Sequence, residues 1–430
     1  MKLQDRHALV LGAGRSGRAA ADLLRRRGAR VCLYDRDSSA LAGLSGDYEV
    51  ATGDEAPSVD AFDCAVASPG VPVLPHPKLM PEVDLAAIFL QAPVIGITGT
   101  NGKSTTTLLI AEMLRASGQS VAVGGNIGTP LCSLVDAEVD SLVVELSSFQ
   151  LELSRRLRAR VAGLLNLAED HLDRHSDLER YGAAKARLAE LQGSDDHLIY
   201  NADDAWASAT AERSRAQVHP FSTSADDTHN AYCDADELVI KTAGTPLRMP
   251  LDATSASCRH PIANALAASA AAVAAGASAD GIAATLRDFR GLEHRHRLIA
   301  TRAGVDYIDD SKATNPAAAA ACLRSQTRPI WWLAGGRNKQ LDFSPLAQVV
   351  SGVREALLYG EASQALARAL GDFVPVRVFP DLDQAVAYAS DRARPGEVVL
   401  LSPACASFDQ FASFEARGQH FARVVGDLSC

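Results

Sequence analysis

The residues whose types and spacing point most directly to chemistry lie at 96–107, in the sequence GITGTNGKSTTT. An apolar run at 93–97 precedes them and predicts a buried strand, and the apolar face of 108–114 predicts a helix. A glycine-rich turn between a strand and a helix directs backbone N–H groups and the positive helix end toward one point, which suits phosphate oxygens. Lys103 could then reach the outer phosphates of a nucleoside triphosphate, and the Ser104 hydroxyl could bind Mg²⁺.

The match to the common phosphate-binding loop is partial. That loop has a glycine six residues before its lysine, where this chain has Ile97. A glycine turn with an incidental lysine is therefore an alternative, but the strand–loop–helix context favours an ATP site. The residues predicted to surround the phosphates are Gly99, Thr100, Asn101, Gly102, Lys103, Ser104 and Thr105.

Two charged residues follow in the same region. The apolar run at 141–144 leads into Glu145, which predicts a carboxylate at the sheet edge of the phosphate loop, unless a helix N-terminus satisfies it. Lys185 lies among alanines in a predicted helix at 181–187, where a lysine is usually a solvent-exposed charge.

Imidazoles and carboxylates are concentrated at 170–175. His171 and His175, with Asp170 and Asp173, could suggest zinc, which would need a third strong ligand. Oxygen-rich surroundings beside a phosphate loop instead favour Mg²⁺ with one imidazole as an auxiliary ligand.

The N-terminal residues carry a second glycine pattern, GAGRSG at 12–17, between a strand predicted at 7–11 and a helix predicted at 18–27; a second strand is predicted at 31–34. Asp35 stands at the end of the second strand, and G-x-G-x-x-G followed by such an acid is the dinucleotide fingerprint. An NAD-dependent dehydrogenase and a simple tight turn are both open alternatives. A further apolar run at 64–67 leads into the turn at 68–70, on the ligand-binding edge of such a sheet.

The C-terminal third repeats this arrangement. Predicted strands at 305–308, 330–334 and 398–401 each lead into a loop that carries polar or cationic residues. Pro316 suits the first turn of the helix that follows the first of these loops. Because the carboxyl ends of parallel strands share one edge of a sheet, these loops predict a binding site.

Composition sets the broad class of protein. The 430 residues are 47% hydrophobic and 22% charged, which is typical of a globular chain with a large core. The net charge of −10 argues against a nucleic-acid partner, because phosphate neutralisation needs a basic surface. The cysteines lack C-x-x-C spacing, and the chain shows neither a signal-peptide core nor a membrane-length apolar run. We therefore expect buried free thiols in a cytoplasmic protein without a membrane partner.

These patterns predict an α/β fold of three domains. They are an N-terminal Rossmann-like nucleotide-binding domain at 1–91, a central P-loop ATPase-type domain at 92–291 and a C-terminal Rossmann-like domain at 292–430. Residues 207–257 carry little motif information apart from a predicted hairpin near Leu238 and Leu247.

Taken together, the motifs resemble those of the Mur ligases over essentially the whole chain. They are GTNGKST at 99–105, GNIG at 125–128, ELSSFQLE at 145–152, EDHLDR at 169–174, AK at 184–185, DSKATN at 310–315 and LSPACASFDQF at 401–411. The last two are specific to the family members that add D-glutamate, whereas folylpolyglutamate synthase shares this form of the phosphate loop.

The resemblance implies an ATP-dependent ligase that joins D-glutamate to UDP-N-acetylmuramoyl-L-alanine in peptidoglycan precursor synthesis. The substrate carboxylate would take the γ-phosphoryl group, and the glutamate amine would attack the resulting acyl phosphate. A monomer that uses ATP and two Mg²⁺ ions, and whose domains close on the substrates, is the accompanying expectation. Another amino acid ligase of the family, a folylpolyglutamate synthase-like ligase and the dehydrogenase remain alternatives.

The resemblance also assigns residue roles by position. The catalytic residues would be Lys103, Glu145, His171 and Lys185, the last carbamylated by CO₂ and no longer an exposed charge. The metal ligands would be Ser104, Glu145, His171 and carbamylated Lys185. ATP would contact, beyond the phosphate loop, Asn264, Arg295 and Asp310. Glutamate would be held by Lys312, Thr314, Lys339, Ser407 and Phe414. The UDP-linked substrate would be held by Ser16, Asp35, Arg36, Asp37, Gly70, Asn126, Ser147 and Gln150.

The chain departs from the family pattern in three places. The segment between Gly70 and Pro81 is shorter than the family's, which puts part of the first sheet in question. Pro261 follows His260 where the family usually has asparagine, and Arg297 replaces an acid near the predicted domain boundary.

Overall fold

The computed structural model describes residues 3–44, 46, 48–72, 75–255, 262–338 and 341–428, and within these ranges the strands form three sheets. The sheets follow one another along the chain, with helices between their strands. The predicted α/β fold class is confirmed.

The N-terminal sheet is parallel, with the strand order β3-β2-β1-β4-β5. Its elements are β1 (His7–Leu11), α1 (Arg15–Arg26), β2 (Arg30–Tyr34), β3 (Glu49–Ala51), β4 (Cys64–Ala67), β5 (Leu79–Pro81) and α2 (Glu82–Ala87). The turn from β1 into α1 needs glycine at position 17, because a Cβ there would lie 1.7 Å from the Gly12 carbonyl oxygen. The short 70–81 segment ends in β5, which pairs with β4 as an edge strand of this sheet.

The central sheet has the order β14-β13-β12-β11-β10-β9-β6-β8-β7. Its strands are β6 (Val94–Thr98), β7 (Val121–Gly125), β8 (Ser141–Glu145), β9 (Val161–Leu164), β10 (His197–Asn201), β11 (Gln217–Ser222), β12 (Ala231–Asp234), β13 (Glu237–Ile240) and β14 (Leu247–Pro250). Strands β6 to β12 pair in parallel, whereas β12, β13 and β14 form antiparallel hairpins, which confirms the predicted hairpin. The chain from β6 onward also forms α3 (Lys103–Ala116), α4 (Ser148–Leu151), α5 (Leu172–His175), α6 (Leu178–Glu190), α7 (Ala205–Ala211), α8 (Ile262–Ala274) and α9 (Ala279–Asp288).

The C-terminal sheet has the order β15-β16-β20-β17-β18-β19 and is parallel apart from the edge strand β15. Its elements are β15 (Arg297–Arg302), β16 (Val305–Asp309), α10 (Pro316–Ser325), β17 (Ile330–Gly335), β18 (Val353–Tyr359), α11 (Ser363–Leu370), β19 (Val376–Val378), α12 (Leu382–Arg392), β20 (Val398–Leu401) and α13 (Phe414–Asp427). Pro316 begins α10 as predicted, and the side chain of Asn315 caps that helix by accepting the N–H of Ala318 at 2.8 Å.

The chain divides into two compact units. The first comprises Met1–Leu167, Glu179–Ala253 and Ala263–Arg287, and the second comprises Ala168–Leu178, Thr254–Ile262 and Asp288–Cys430. The N-terminal sheet and the central sheet thus lie in one unit, and the C-terminal sheet lies in the other. The domain boundaries after residues 91 and 291 stay predictions.

Two buried carboxylates of α2 hold the N-terminal part of the first unit to its central part. Glu82 Oε1 accepts the N–H of Cys132 at 2.6 Å, and Asp84 accepts the Ser154 hydroxyl at 2.6 Å. Asp84 also accepts the N–H of Arg155 at 2.7 Å. Because these partners lie 50 or more residues along the chain, each carboxylate closes a long loop.

The described cysteines are free thiols, and they are buried apart from the half-buried Cys233, as the sequence predicted. None of the helices that the structure describes combines the length and the apolar character needed to cross a bilayer.

Glu82 generates a prediction about stability. The side chain is fully buried, and its Oε2 has no hydrogen-bond partner among the described residues. Burial raises the pKa of Glu82 to about 7, although the N–H of Cys132 favours the charged form. Since the folded-state pKa lies above the ordinary value of 4.5, this group costs stability as the pH rises from 4.5 to about 7.

We therefore expect Glu82→Gln to melt at a higher temperature than the wild type at pH 8, with a smaller difference at pH 5.5. The change between the two pH values should correspond to about 2 kcal/mol, since each pKa unit is worth roughly 1.4 kcal/mol. Thermal unfolding at both pH values measures it, with Glu55→Gln at an exposed position as the control. Equal differences at the two pH values would contradict the prediction.

Candidate active site

The predicted phosphate loop lies between the end of β6 and the start of α3. Helix α3 begins at Lys103, and Gly102 precedes it with a φ of 86°, a conformation that favours glycine. Gly99, at the other end of the loop, also has a positive φ, 154°. Strand β6 lies between β8 and β9, so that the residues following those two strands meet the loop at one sheet edge. The structure therefore provides the strand–loop–helix context that the sequence predicted.

Two lysine side chains converge on the loop. Lys103 Nζ donates to the carbonyl oxygens of Gly99 and Thr100, each at 2.9 Å. Lys185 Nζ, from α6, donates to the same Gly99 oxygen at 2.8 Å and lies 4.4 Å from the centre of the Tyr181 ring. Lys185 is only 1% exposed, so its interpretation as a solvent-exposed charge is wrong. A buried lysine at the phosphate loop can take part in the chemistry there.

Glu145 lies at the same sheet edge, at the end of β8. Its side chain is buried, and its Oε1 accepts the side-chain amide of Asn126 at 2.7 Å. Its Oε2 is also buried and has no hydrogen-bond partner within the described part of the chain. A carboxylate oxygen left in this way fits a cation, which would offset the cost of burying the charge.

The predicted alternative for Glu145 was satisfaction by a helix N-terminus. Helix α4, which follows, is instead capped by Ser147, whose hydroxyl accepts the N–H of Gln150 at 3.3 Å. The Gln150 side chain accepts the N–H of Ser147 in return, at 3.0 Å. Ser147 and Gln150 thus form a capping box, so these two predicted substrate contacts have a local structural role as well.

Asn264 packs directly against the phosphate loop. A Cβ added to Gly102 would lie 2.2 Å from Asn264 Oδ1, and Asn264 is itself buried in α8. The structure therefore brings Asn264 to the loop, as the prediction of an ATP contact requires.

At the N-terminal glycine turn, Asp35 binds the backbone. Its Oδ2 accepts the N–H of Ala13 at 2.7 Å, and its Oδ1 accepts the N–H of Asp37 at 3.0 Å. Asp37 in turn accepts the N–H of Ser39 at 2.9 Å, and hydrogen bonds to Ser39 lower the pKa of Asp37. Asp35 therefore ties the loop after β1 to the loop after β2. Of the other predicted contacts here, Ser16 lies in the first turn of α1, and Arg36 and Gly70 lie on the loops after β2 and β4, at the same carboxyl edge.

In the second unit, the loops after β16, β17 and β20 converge on one buried residue, Arg417 of α13. Its guanidinium donates to the carbonyl oxygens of Ser311 at 2.8 Å, of Cys405 at 3.1 Å and of Gly335 at 3.4 Å. It also donates to the Ser311 hydroxyl at 2.9 Å. Arg417 thus fixes the loops that carry the predicted glutamate contacts.

Among those contacts, Lys312 and Phe414 lie together. Lys312 Nζ stands 3.8 Å from the centre of the Phe414 ring, a cation–π contact. Ser407 is buried and Thr314 is half-buried. Lys339 lies outside the described residues, as do the departures at His260 and Pro261.

The predicted ATP contact Asp310 is buried at the end of β16. Burial raises the pKa of Asp310 to about 6, although it accepts the Ser402 hydroxyl at 2.9 Å and the N–H of His296 at 3.2 Å. Arg295, the other predicted contact from this unit, is half-buried.

His171 belongs to the second unit. The backbone N–H of His171 donates to Asp170 Oδ1 at 2.9 Å. The other oxygen, Asp170 Oδ2, accepts the side-chain amide of Asn315 at 3.2 Å. Within the part of the chain that the structure describes, there is no group of three or more His, Cys, Asp or Glu side chains that could hold a metal ion. The role of His171 as a ligand stays a prediction.

The sequence did not identify two residues, Asn166 and Arg417, as functional candidates. Asn166 contacts the phosphate loop and is the polar residue that ends the apolar run at 161–165, the same signal that identified Glu145. Arg417 has no comparable signal, because a single arginine in a helix is usually exposed.

The glycines at the two ends of α3 generate a matched prediction. Gly102 and Gly118 have φ values of 86° and 87°, but the space around Gly118 is open. We expect Gly118→Ala to cost about 1 kcal/mol of stability through backbone strain alone. We expect Gly102→Ala to cause in addition at least a tenfold loss of ATP affinity, since its Cβ would collide with Asn264 Oδ1. Titration calorimetry with ATP and Mg²⁺ measures this, and equal affinities of the two variants would refute it.

Comparison with known proteins shows similarity to one ligase family. Residues 97–272 match the Mur ligase middle domain, and residues 294–405 match the Mur ligase, glutamate ligase domain. A protein named UDP-N-acetylmuramoylalanine–D-glutamate ligase, from Solibacter usitatus, is 40% identical over 442 residues, which cover 100% of this chain and 99% of that protein.

Two solved structures share the fold. A MurF structure from Acinetobacter baumannii has a TM-score of 0.64 at 17% identity, covering 97% of this chain and 91% of that one. A bifunctional folylpolyglutamate synthase/dihydrofolate synthase from Yersinia pestis, complexed with AMPPNP and a Mn ion, has a TM-score of 0.55 at 18% identity, covering 80% of this chain and 92% of that one. Given the full-length similarity, the chain belongs to the Mur ligase family.

Proposed function

We propose that the chain is an ATP-dependent ligase that joins D-glutamate to UDP-N-acetylmuramoyl-L-alanine in peptidoglycan precursor synthesis. The observation that carries this assignment is the 40% identity, over the whole of this chain, to the relative named UDP-N-acetylmuramoylalanine–D-glutamate ligase. The phosphate loop, the buried Glu145 and the loops around Arg417 supply parts that such a reaction needs.

The reaction has two steps. The carboxylate of the alanine residue attacks the γ-phosphorus of ATP, which gives an acyl phosphate and releases ADP. The amine of D-glutamate then attacks the acyl carbon, and phosphate and a proton leave as the amide forms. Phosphorylation is needed because a carboxylate is a poor acyl donor. Both steps build negative charge on oxygen, which fixed cations stabilise.

The phosphate loop would hold ATP. The N–H groups at the start of α3 and the ammonium of Lys103 would bind the β- and γ-phosphates, and Asn264 would fix the position of Gly102. Lys103 now donates to carbonyls of its own loop, so it would exchange these neutral acceptors for phosphate oxygens. Arg295 and Asp310 would contact ATP from the second unit.

We propose that Glu145 and Ser104 hold a magnesium ion, because Glu145 Oε2 is buried and has no hydrogen-bond partner among the described residues. Such an ion, bound with the phosphates, supplies positive charge to the transferring group. We propose His171 as a ligand of a second Mg²⁺ and carbamylated Lys185 as an anionic group that supports the metal ions. Burial of Lys185 beside the Gly99 carbonyl supports a role for it at this site.

We propose that the C-terminal loops bind D-glutamate through the residues Lys312, Thr314, Lys339, Ser407 and Phe414. The cation of Lys312 would pair with a glutamate carboxylate. The N-terminal loops with Ser16, Asp35, Arg36, Asp37 and Gly70 would take the UDP end of the other substrate. Asn126, Ser147 and Gln150 would contact it from the central part of the first unit.

The full-length similarity to a ligase disfavours the dehydrogenase. In dinucleotide-binding folds, the acid after the second strand binds a ribose hydroxyl. Each oxygen of Asp35 accepts one backbone N–H, from Ala13 or from Asp37, and a carboxylate oxygen can accept a second hydrogen bond. Asp35 can therefore join the two loops and still contact the UDP end of the substrate.

We propose further that the enzyme acts as a monomer in the cytoplasm, where its phosphoryl donor ATP is available. Light scattering of the purified chain checks the first point.

A reaction assay tests the main assignment. The wild type should release phosphate from ATP only when both UDP-N-acetylmuramoyl-L-alanine and D-glutamate are present, and mass spectrometry should detect their amide. Lys103→Ala should lower kcat at least about 100-fold, the scale expected when a charge-stabilising donor is removed. Lys241→Ala, the same change in the hairpin between β13 and β14, is the control. Turnover with L-glutamate, or with another amino acid in preference to D-glutamate, would favour the alternative ligases.

A separate experiment tests carbamylation. Lys185→Ala should lose most activity and regain part of it in the presence of a small carboxylate such as formate or acetate, which would replace the missing anion. The wild type in ¹³C-bicarbonate should show a carbamate carbon resonance by NMR that the variant lacks. A fully active Lys185→Ala variant would contradict the proposal, and so would the absence of that resonance from an active wild type.

A further inference from the structure

We infer that Asn166 is a positioning residue of the phosphate loop, which holds the loop in its ATP-binding conformation through the side-chain amide. The inference rests on the proposed ATP site and adds a residue that none of the sequence motifs assigned to it.

Asn166 makes hydrogen bonds to two successive residues of the loop. Its backbone oxygen accepts the N–H of Thr100 at 2.8 Å. Its side-chain Oδ1 accepts the N–H of Asn101 at 2.8 Å, and its Nδ2 donates to the carbonyl oxygen of Asn101 at 3.1 Å. The side chain thus binds both main-chain polar groups of one loop residue, as a neighbouring strand would.

The bonded residues lie between two glycines of the loop. Gly99 and Gly102 both have positive φ values, and glycine in such a conformation can leave it at little steric cost. Without an external contact, ordering Thr100 and Asn101 would cost conformational entropy when ATP binds. Since Asn166 fixes these residues before ATP binds, the binding of ATP need not order them.

Asn166 is itself held firmly. It follows strand β9, which pairs with β6 directly before the loop, with Leu164 opposite Thr98. The N–H of the next residue, Leu167, donates to Asp204 Oδ2 at 3.0 Å, and Asp204 also caps α7 by accepting the N–H of Ala207. The loop packs closely against the backbone of Asn166, since a Cβ added to Gly99 would lie 3.2 Å from Asn166 N. A fixed strand end therefore serves as the base for the loop.

The chemistry of the contact specifies an amide. It needs one acceptor, for the Asn101 N–H, and one donor, for the Asn101 carbonyl, on a short planar group. An ionised carboxylate keeps the acceptor but sets a second acceptor against that carbonyl, beside the predicted phosphate site. A protonated carboxyl group restores one donor and one acceptor. This difference allows the contact to be tested by pH.

The test compares Asn166→Asp and Asn166→Leu with the wild type. At pH 8 we expect both variants to bind ATP with Mg²⁺ at least tenfold more weakly, by titration calorimetry. We also expect KM for ATP to rise while KM for D-glutamate stays within about twofold. The facing Asn101 carbonyl and the phosphates of ATP both favour the neutral form of the new carboxyl group, whose ordinary pKa is about 3.9. As the pH falls toward 4.5, Asn166→Asp should therefore recover ATP affinity relative to the wild type, whereas Asn166→Leu should not.

A matched control lies on the neighbouring strand. Asn201 ends β10, and its side chain accepts only the local N–H of Asp203 at 3.0 Å among the bonds that the structure gives it. Because a carboxylate can keep that acceptor role, Asn201→Asp should bind ATP as the wild type does at both pH values. Thermal melting of every variant separates a loss of folding from a loss of the loop contact. If Asn166→Leu fails to fold, the pH series of Asn166→Asp decides the question.

The outcomes are distinguishable from failure of the proposed function. If the wild type binds ATP and both variants bind it equally well at pH 8, the inference about Asn166 is wrong and the ligase assignment stands. The inference is also wrong if Asn166→Asp binds ATP as weakly at pH 4.5 as at pH 8, relative to the wild type. A wild type that binds ATP but forms no amide would overturn the ligase assignment alone, and a wild type that does not bind ATP would overturn both.

Discussion

The placement of β6 between β8 and β9 is the constraint on which the phosphate site depends. All three strands run in parallel, so that their carboxyl ends reach the same edge of the sheet. The loop at 99–102, the carboxylate of Glu145 and the amide of Asn166 follow these three ends and therefore meet. A different strand order would leave each motif intact in the sequence but would separate the groups in space.

Buried charge is the second theme of the structure. Lys185 and Arg417 both bring a basic side chain into the interior, and both donate to backbone carbonyl oxygens of functional loops. Glu145 brings in an anion and keeps one oxygen without a hydrogen-bond partner among the described residues. Since an uncompensated charge is costly to bury, these groups are expected where a charged ligand completes the site.

Much of the fold was predictable because the signals are local. Apolar runs of four or five residues bounded by glycine or polar turns identified β1, β4, β8 and β20 with the bounds that the structure gives or close to them. The start of α1 was less accurate, since the helix begins at Arg15, three residues before the predicted start. The alanine-rich helical pattern alone favoured an exposed Lys185, an interpretation that the family resemblance reversed and that the burial of this side chain contradicts. A helical pattern does not reveal which face the rest of the chain covers.

The sequence by itself determined the chemistry that is available: a glycine-rich loop with Lys103 and Ser104, a carboxylate at the end of a strand, and motifs that resemble one ligase family. These depend on residue type and short spacing, which are local properties. Tertiary structure alone decided that Asp35 binds the backbone, that Asn166 holds Asn101, and that Arg417 joins three loops of the C-terminal sheet. The physical reason is that each of these hydrogen bonds joins atoms brought together by strand order and helix packing, which short-range patterns do not encode.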